Sequence, residues 1–253
     1  MKKIVFLVLT WCAFATGVMA QEETTVTRFE NQTITKLDAE GGWDIHLTQG
    51  NRTKATLTFP KRFKDQLILT LEPDGKLKIG FHGEIRTKSG EKFVAEVVCS
   101  SMDEIDLSGA CKVKGTGKFT GNGLEIDLSG ASQVWLEDGV ALVNGLSLDL
   151  SGAAKAFLNV TARKCDIELS GASVLSLSGA AETAKIEVSG ASKGDCAGAE
   201  IRRAEVDLSG ASKLNLNVSE MITGEISGAS KVVYTGNATT RVDVSGAGSI
   251  KHN

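Results

Sequence analysis

Proline is almost missing from this 253-residue chain, with two residues, and tyrosine occurs once. That scarcity excludes a collagen-like or polyproline architecture, in which proline sets the chain geometry. Positive charge is not in excess either: 28 Lys and Arg against 31 Asp and Glu leave a net charge of −3, so no basic field invites nucleic acid. After the first twenty residues no apolar run approaches the ~20 residues of a membrane-spanning helix. Amphipathic helical periodicity of useful length is also missing. Cysteine is too sparse for a disulfide-dense miniprotein, since only Cys99, Cys111, Cys165 and Cys196 follow the leader. Their spacings of 12, 54 and 31 residues match no zinc or redox pattern. An oxidising compartment permits a disulfide without requiring one, and the simplest reading is four small buried thiols.

The first twenty residues form a signal peptide by composition. Lys2 and Lys3 supply a positive start, Ile4 to Val18 an apolar stretch, and Val18-Met19-Ala20 a small-x-small cleavage site before Gln21. Trp11 immediately before Cys12 is wrong for a lipoprotein box. The mature chain is therefore expected in the periplasm, on the outer cell surface or secreted.

Glycine, by contrast, is abundant, with 28 residues, and a repeat accounts for it. Ser-Gly-Ala begins at Ser108, Ser129, Ser151, Ser170, Ser189, Ser209, Ser227 and Ser245, at intervals of 21, 22, 19, 19, 20, 18 and 18 residues. An aliphatic residue precedes each Ser, and an acid stands two before it: Asp106, Asp127, Asp149, Glu168, Glu187, Asp207, Glu225 and Asp243. Apolar, acidic, apolar, Ser is period-two alternation, which places carboxylate and Ser on the solvent face of a half-buried strand. Gly-Ala then forms a tight corner, and apolar positions resume in a second strand. Lys stands four after the Ser at Lys112, Lys155, Lys193, Lys213 and Lys231.

A unit of ~20 residues cannot enclose its own core and must stack on its neighbours. Residues 105–253 are therefore read as an all-β, single-stranded, right-handed parallel β-helix (a β-solenoid) with about 20 residues per coil, each coil advancing ~4.8 Å. Residues 21–104 lack the corner but carry strand-like runs at Trp43-Asp44-Ile45-His46-Leu47-Thr48, Ala55 to Phe59, Leu67 to Leu71 and Lys76 to Phe81. They are read as the N-terminal cap and irregular coils of the same solenoid; a separate small β domain is the alternative.

The repeated Asp-Leu-Ser-Gly-Ala-Ser corner, the run Gly41 to Gly50, Asp74-Gly75-Lys76-Leu77-Lys78-Ile79 and the ending Val244 to Lys251 resemble the head GIN domain family, auto-transporter adhesins common as exported proteins of Bacteroidetes. The resemblance covers about residues 26–251. It implies an exported β-helical protein and carries over no catalytic residue.

Two surfaces are candidates for function. The eight acids, stacked in register, form a ladder whose ~5 Å neighbours repel by about 0.8 kcal/mol per pair even in bulk water. The lysines beyond the corner, upward titration of some acids, or Ca²⁺ between rungs are ways to offset that cost, and partner binding is a further use of such a face. The second is aromatic: Trp135 and Phe157 fall at the same offset in adjacent coils, and with Tyr234 and Trp43 they are the candidate ligand contacts. Eight equivalent serines suggest corner hydrogen bonding rather than one active site. No Gly-x-Ser-x-Gly elbow is present, and His46, His82 and His252 are not placed by sequence near an unusual Ser. The sequence thus favours a non-catalytic, exported cell-envelope adhesin that recognises glycan or envelope components. The alternative is a carbohydrate-active enzyme, pectinase-like or lyase-like, acting on acidic polysaccharide, an analogy from fold alone. Only six residues follow the last corner, Gly248 to Asn253, which leaves a solenoid edge open to a homodimer or another partner.

Overall fold

The computed structural model describes residues 22–253; the signal peptide read at 1–20 lies outside them. The described chain is a β-solenoid of about seven turns, with about 20 residues between stacked parallel bridges. Its regular part begins with β8 (Glu104–Gly109) and β9 (Lys112–Thr116). It continues through β10 (Phe119–Leu128), β11 (Gln133–Leu150), β12 (Lys155–Leu169), β13 (Val174–Val188), β14 (Lys193–Leu208) and β15 (Lys213–Ile226), and ends with β16 (Lys231–Thr235), β17 (Thr239–Val244) and β18 (Ser249–His252). Each of these strands pairs in parallel with the equivalent stretch of an adjoining coil.

That register converts the sequence alternation into columns. Leu107, Leu128, Leu150, Leu169, Val188, Leu208 and Ile226 stack on one another in the interior, each no more than 2% exposed. Each methyl-rich rung covers the one before it, so no coil needs a core of its own. The four cysteines join the interior as unpaired thiols. Burial raises Cys99 and Cys196 to about 12, and Cys111 and Cys165 to about 11, so none is a nucleophile at neutral pH.

The corner is spliced by one repeated bond. The Ala N–H of each Ser-Gly-Ala donates to the Gly carbonyl of the preceding coil, as in Ala131 to Gly109 (2.7 Å), Ala172 to Gly152 (2.7 Å) and Ala229 to Gly210 (2.7 Å). Glycine is required there twice over. At Gly171 the backbone has φ of +72°, and a Cβ would stand 2.6 Å from the carbonyl oxygen of Gly152. The outward Ser Oγ leans on the same seam, donating weakly to a carbonyl of the previous coil, for example Ser227 to Leu208 (3.2 Å).

The N-terminal part joins the same solenoid but not in simple chain order. β1 (Glu23–Arg28), β2 (Lys36–Gly41), β3 (Asp44–Gln49), β4 (Lys54–Pro60), β5 (Leu67–Leu71), β6 (Lys76–Phe81) and β7 (Val94–Cys99) precede the regular coils. β2 lies between β6 and β8, and β3 between β7 and β9, all in parallel. The chain thus lays down an inner coil first, builds outward, and returns to the inner coil's other side. Gly41 is in register with Gly109, and Ala110 donates to its carbonyl (2.6 Å), so Glu40-Gly41-Gly42 is a ninth corner without the Ser-Gly-Ala spelling.

At the outer end parallel pairing gives way to antiparallel pairing: β7 with β4, β4 with β1, and β6 with β5. Phe59, Phe63, Phe81 and Phe93 gather around Trp43 there, with Trp43 stacked on Phe81 (5.3 Å, 12°) and edge-on to Phe93 (5.7 Å). These rings plug the interior column. Trp43, expected as a ligand contact, is 1% exposed and belongs to the plug. It stands three residues after the corner position Glu40, where the column points inward, so a large ring fills the end of the core.

Candidate functional site

The strands before the corners carry acids on their outer faces, and five of the strands after them begin with an outward lysine. Before the corner the acids fall into register as a ladder, Asp106, Asp127, Asp149, Glu168, Glu187, Asp207, Glu225 and Asp243, which Asp38 extends by one rung. A second column two residues earlier adds Glu104, Glu125, Asp166 and Glu205. Its acidity was not evident from the corner motif, because Ser147, Lys185, Thr223 and Arg241 interrupt it.

Compensation comes from this face itself. Lys76 binds Glu104 (2.6 Å), Lys185 binds Glu187 (2.6 Å) and Lys164 binds Asp166 (2.7 Å). The lysines after the corner project from the adjoining face instead. Two acids of the ladder hold their protons more tightly than a free carboxylate does. Burial first, and then the charge of Asp38, raises Asp106 above the usual carboxylate value. Burial also leads at Asp127, followed by Glu125, Asp106 and Asp149. Among the described residues no group of three or more His, Cys, Asp or Glu side chains is placed to hold a metal ion.

After the corner the outer face is basic. Lys112, Gln133, Lys155, Val174, Lys193, Lys213 and Lys231 form one column. Two residues on, Lys114, Trp135, Phe157 and Ser176 form the next. Trp135 and Phe157 are half-buried and stack with planes 5° apart and centroids separated by 5.7 Å. Lys114 lies in register beside Trp135, Lys155 stands two residues before Phe157 on the same face with Lys112 one rung below Gln133, and Glu137 follows Trp135 on that face.

Tyr234 does not join it. It follows Leu216 in an inward column of the last coils, partly buried, with its ring against His252 (4.9 Å). It therefore finishes the core at the C-terminal end. The basic pair Arg202-Arg203 is also committed, since both guanidinium groups bind Glu220 (2.5 and 2.9 Å). Beside it lies a groove of about 650 Å³ whose lining includes Leu142, Ala162, Ala181 and Ile201 with Arg163 and Arg202. Elsewhere, in the 22-residue interval between Ser129 and Ser151, Val143 is 62% exposed.

A buried polar column lies inside the corners, where the outward alternation of the strand gives no sign of it. Three residues after the corner Ser, the positions Ser132, Ser173, Ser192, Ser212 and Ser230 are at most 2% exposed. Ser173 donates to Ser192 (3.2 Å) and Ser212 to Ser230 (3.1 Å). The available signal was the second Ser of Ser-Gly-Ala-Ser, which recurs in five of the corners.

The chain belongs to the family described as putative auto-transporter adhesin, head GIN domain, whose model matches residues 33–238. A crystal structure of a putative adhesin from Parabacteroides merdae is similar, with 18% identity, a TM-score of 0.85, and coverage of 92% of this chain and 97% of that one. A putative adhesin from Parabacteroides distasonis gives 17%, 0.84, 92% and 98%. A structure from the same organism described as a putative lipid binding protein gives 18%, 0.75, 92% and 98%. At these identities the likenesses establish the solenoid fold. No curated protein matches the chain. No helix among the described residues is long and apolar enough to cross a membrane.

Proposed function

We propose that this chain is an exported, non-catalytic adhesin of the cell envelope that binds glycan through the face after the corner. The observation that carries this is the Trp135–Phe157 stack, exposed in part and bordered by Lys112, Lys114 and Lys155. Aromatic rings provide apolar contact for the C–H faces of sugars, while ammonium groups favour carboxylated or sulfated ones. The rigid rod holds both kinds of group in fixed register, so binding does not first have to order a loop. Family membership supports the adhesin role. Export rests on the composition of residues 1–20.

The test is a glycan array probed with the purified chain, beside a depolymerisation assay on the same polysaccharides. Retention of acidic glycans without unsaturated or reducing-end products is the expected result. Cleavage products, or an array with no retained glycan, would overturn the proposal.

A further inference from the structure

The two ends of the solenoid differ. The N-terminal end is closed by antiparallel strands and the aromatic plug, whereas β17 pairs only with β15, and β18 only with β16, among the described strands. An edge strand with one neighbour presents unpaired backbone N–H and C=O groups, a template for strand addition. The interior column also surfaces here: Val244 continues the stack that ends at Ile226, yet it is 46% exposed while Ile226 is 0%.

We infer that β17 is a self-complementary edge on which a second copy of this chain adds antiparallel, joining two solenoids end to end. The occupant follows from the order of side chains in Thr239-Thr240-Arg241-Val242-Asp243-Val244. Antiparallel pairing of this strand with itself, centred on Val242, sets Arg241 opposite Asp243 of the second copy and Asp243 opposite its Arg241. Both residues are exposed, and neither has an ion-pair partner among the described residues. The same register places Val242 against Val242 and Thr240 against Val244, which covers the exposed apolar end. A two-fold contact of this kind uses one surface twice and closes on itself, so it yields a dimer and not a fibre. It also relieves the ladder, because the second copy's arginine meets the last acid, Asp243. Opposite charges directly across a strand pair stabilise it, and like charges destabilise it. The inference is independent of which ligand the basic face takes.

Sedimentation equilibrium of the full chain across the micromolar range tests it, with charge reversals at the two positions. The wild type is expected to dimerise. Arg241→Asp sets Asp against Asp, and Asp243→Arg sets Arg against Arg, so each single variant should dissociate at least tenfold more readily. The double variant restores both opposite-charge contacts in reversed order and should recover dimerisation. A strictly monomeric wild type would overturn the inference, whether or not the edge takes a strand from another protein. Single variants that dimerise like the wild type, or a double variant no stronger than the singles, would also overturn it.

Discussion

Ser173 donates its hydroxyl hydrogen to Ser192 across 3.2 Å inside the corner, one coil to the next. Ser132 occupies the same inner position two coils earlier but stands between Cys111 and Ala154, and its buried Oγ has no hydrogen-bond partner. An unpaired buried hydroxyl costs about 1–3 kcal/mol, whereas a paired one contributes about 1. Ser132→Ala should therefore leave stability unchanged or raise it by up to about 1 kcal/mol. Ser192→Ala, which strands the Ser173 hydroxyl, should lower it by about 1–2 kcal/mol. Urea midpoints of the two variants check this, and equal losses in both would contradict it.

Two glycines beside corners should respond in opposite ways to a methyl group. Gly171→Ala combines a φ of +72° with a Cβ 2.6 Å from the Gly152 oxygen, so a loss of about 2 kcal/mol or more is expected. At Gly42 no atom lies within 4 Å of the added Cβ and φ is not positive, so Gly42→Ala should be tolerated within about 0.5 kcal/mol. Thermal melts of both variants measure the contrast.

The acidic face sets a pH dependence of definite sign. Asp106 and Asp127 have raised pKa values in the folded chain, so it keeps their protons at pH values where the unfolded chain has lost them. Their contribution is most favourable at and below the ordinary carboxylate value and is lost as pH rises through the raised one. Asp127→Asn should thus be more stable than wild type at neutral pH, by a few tenths to about 1 kcal/mol. That advantage should shrink on acidification. Denaturant midpoints for both proteins at several pH values give the difference directly, and a gap that widens toward acid would contradict the assignment.

The plug separates stability from binding. Trp43→Ala removes the ring that touches Phe59, Phe81 and Phe93, and should cost about 3–5 kcal/mol, with the loss concentrated in β1 to β7. Hydrogen exchange would locate it. Protection in the coils beyond β12 should be retained, since a solenoid's stability is a sum over neighbouring repeats.

The regular rod was legible because each Ser-Gly-Ala marks one backbone geometry that only glycine meets, as at Gly171. The ninth corner at Gly41 is not legible in the repeat, because Glu40 and Gly42 replace Ser and Ala around the single residue the geometry demands. Several strands of residues 21–104 could be read from composition, but not their order. The place of β2 between β6 and β8 is decided by contacts tens of residues apart, which local periodicity does not encode. The same gap explains Trp43. Once Glu40 is aligned with the corner Ser, the ring falls in the inward column, whereas without that alignment an isolated Trp resembles a surface contact. The stacking of Trp135 on Phe157 is legible because their common offset is a property of the repeat.

Glycan binding by the basic face depends on its aromatic stack. Its most direct test is the affinity of the full chain for an acidic glycan retained on the array, compared with the double variant Trp135→Ala/Phe157→Ala at matched ionic strength. Both rings are partly exposed, so the variant should stay folded while its affinity falls at least tenfold, or about 1.4 kcal/mol. Unchanged affinity in a folded double variant would contradict the assignment of binding to this face.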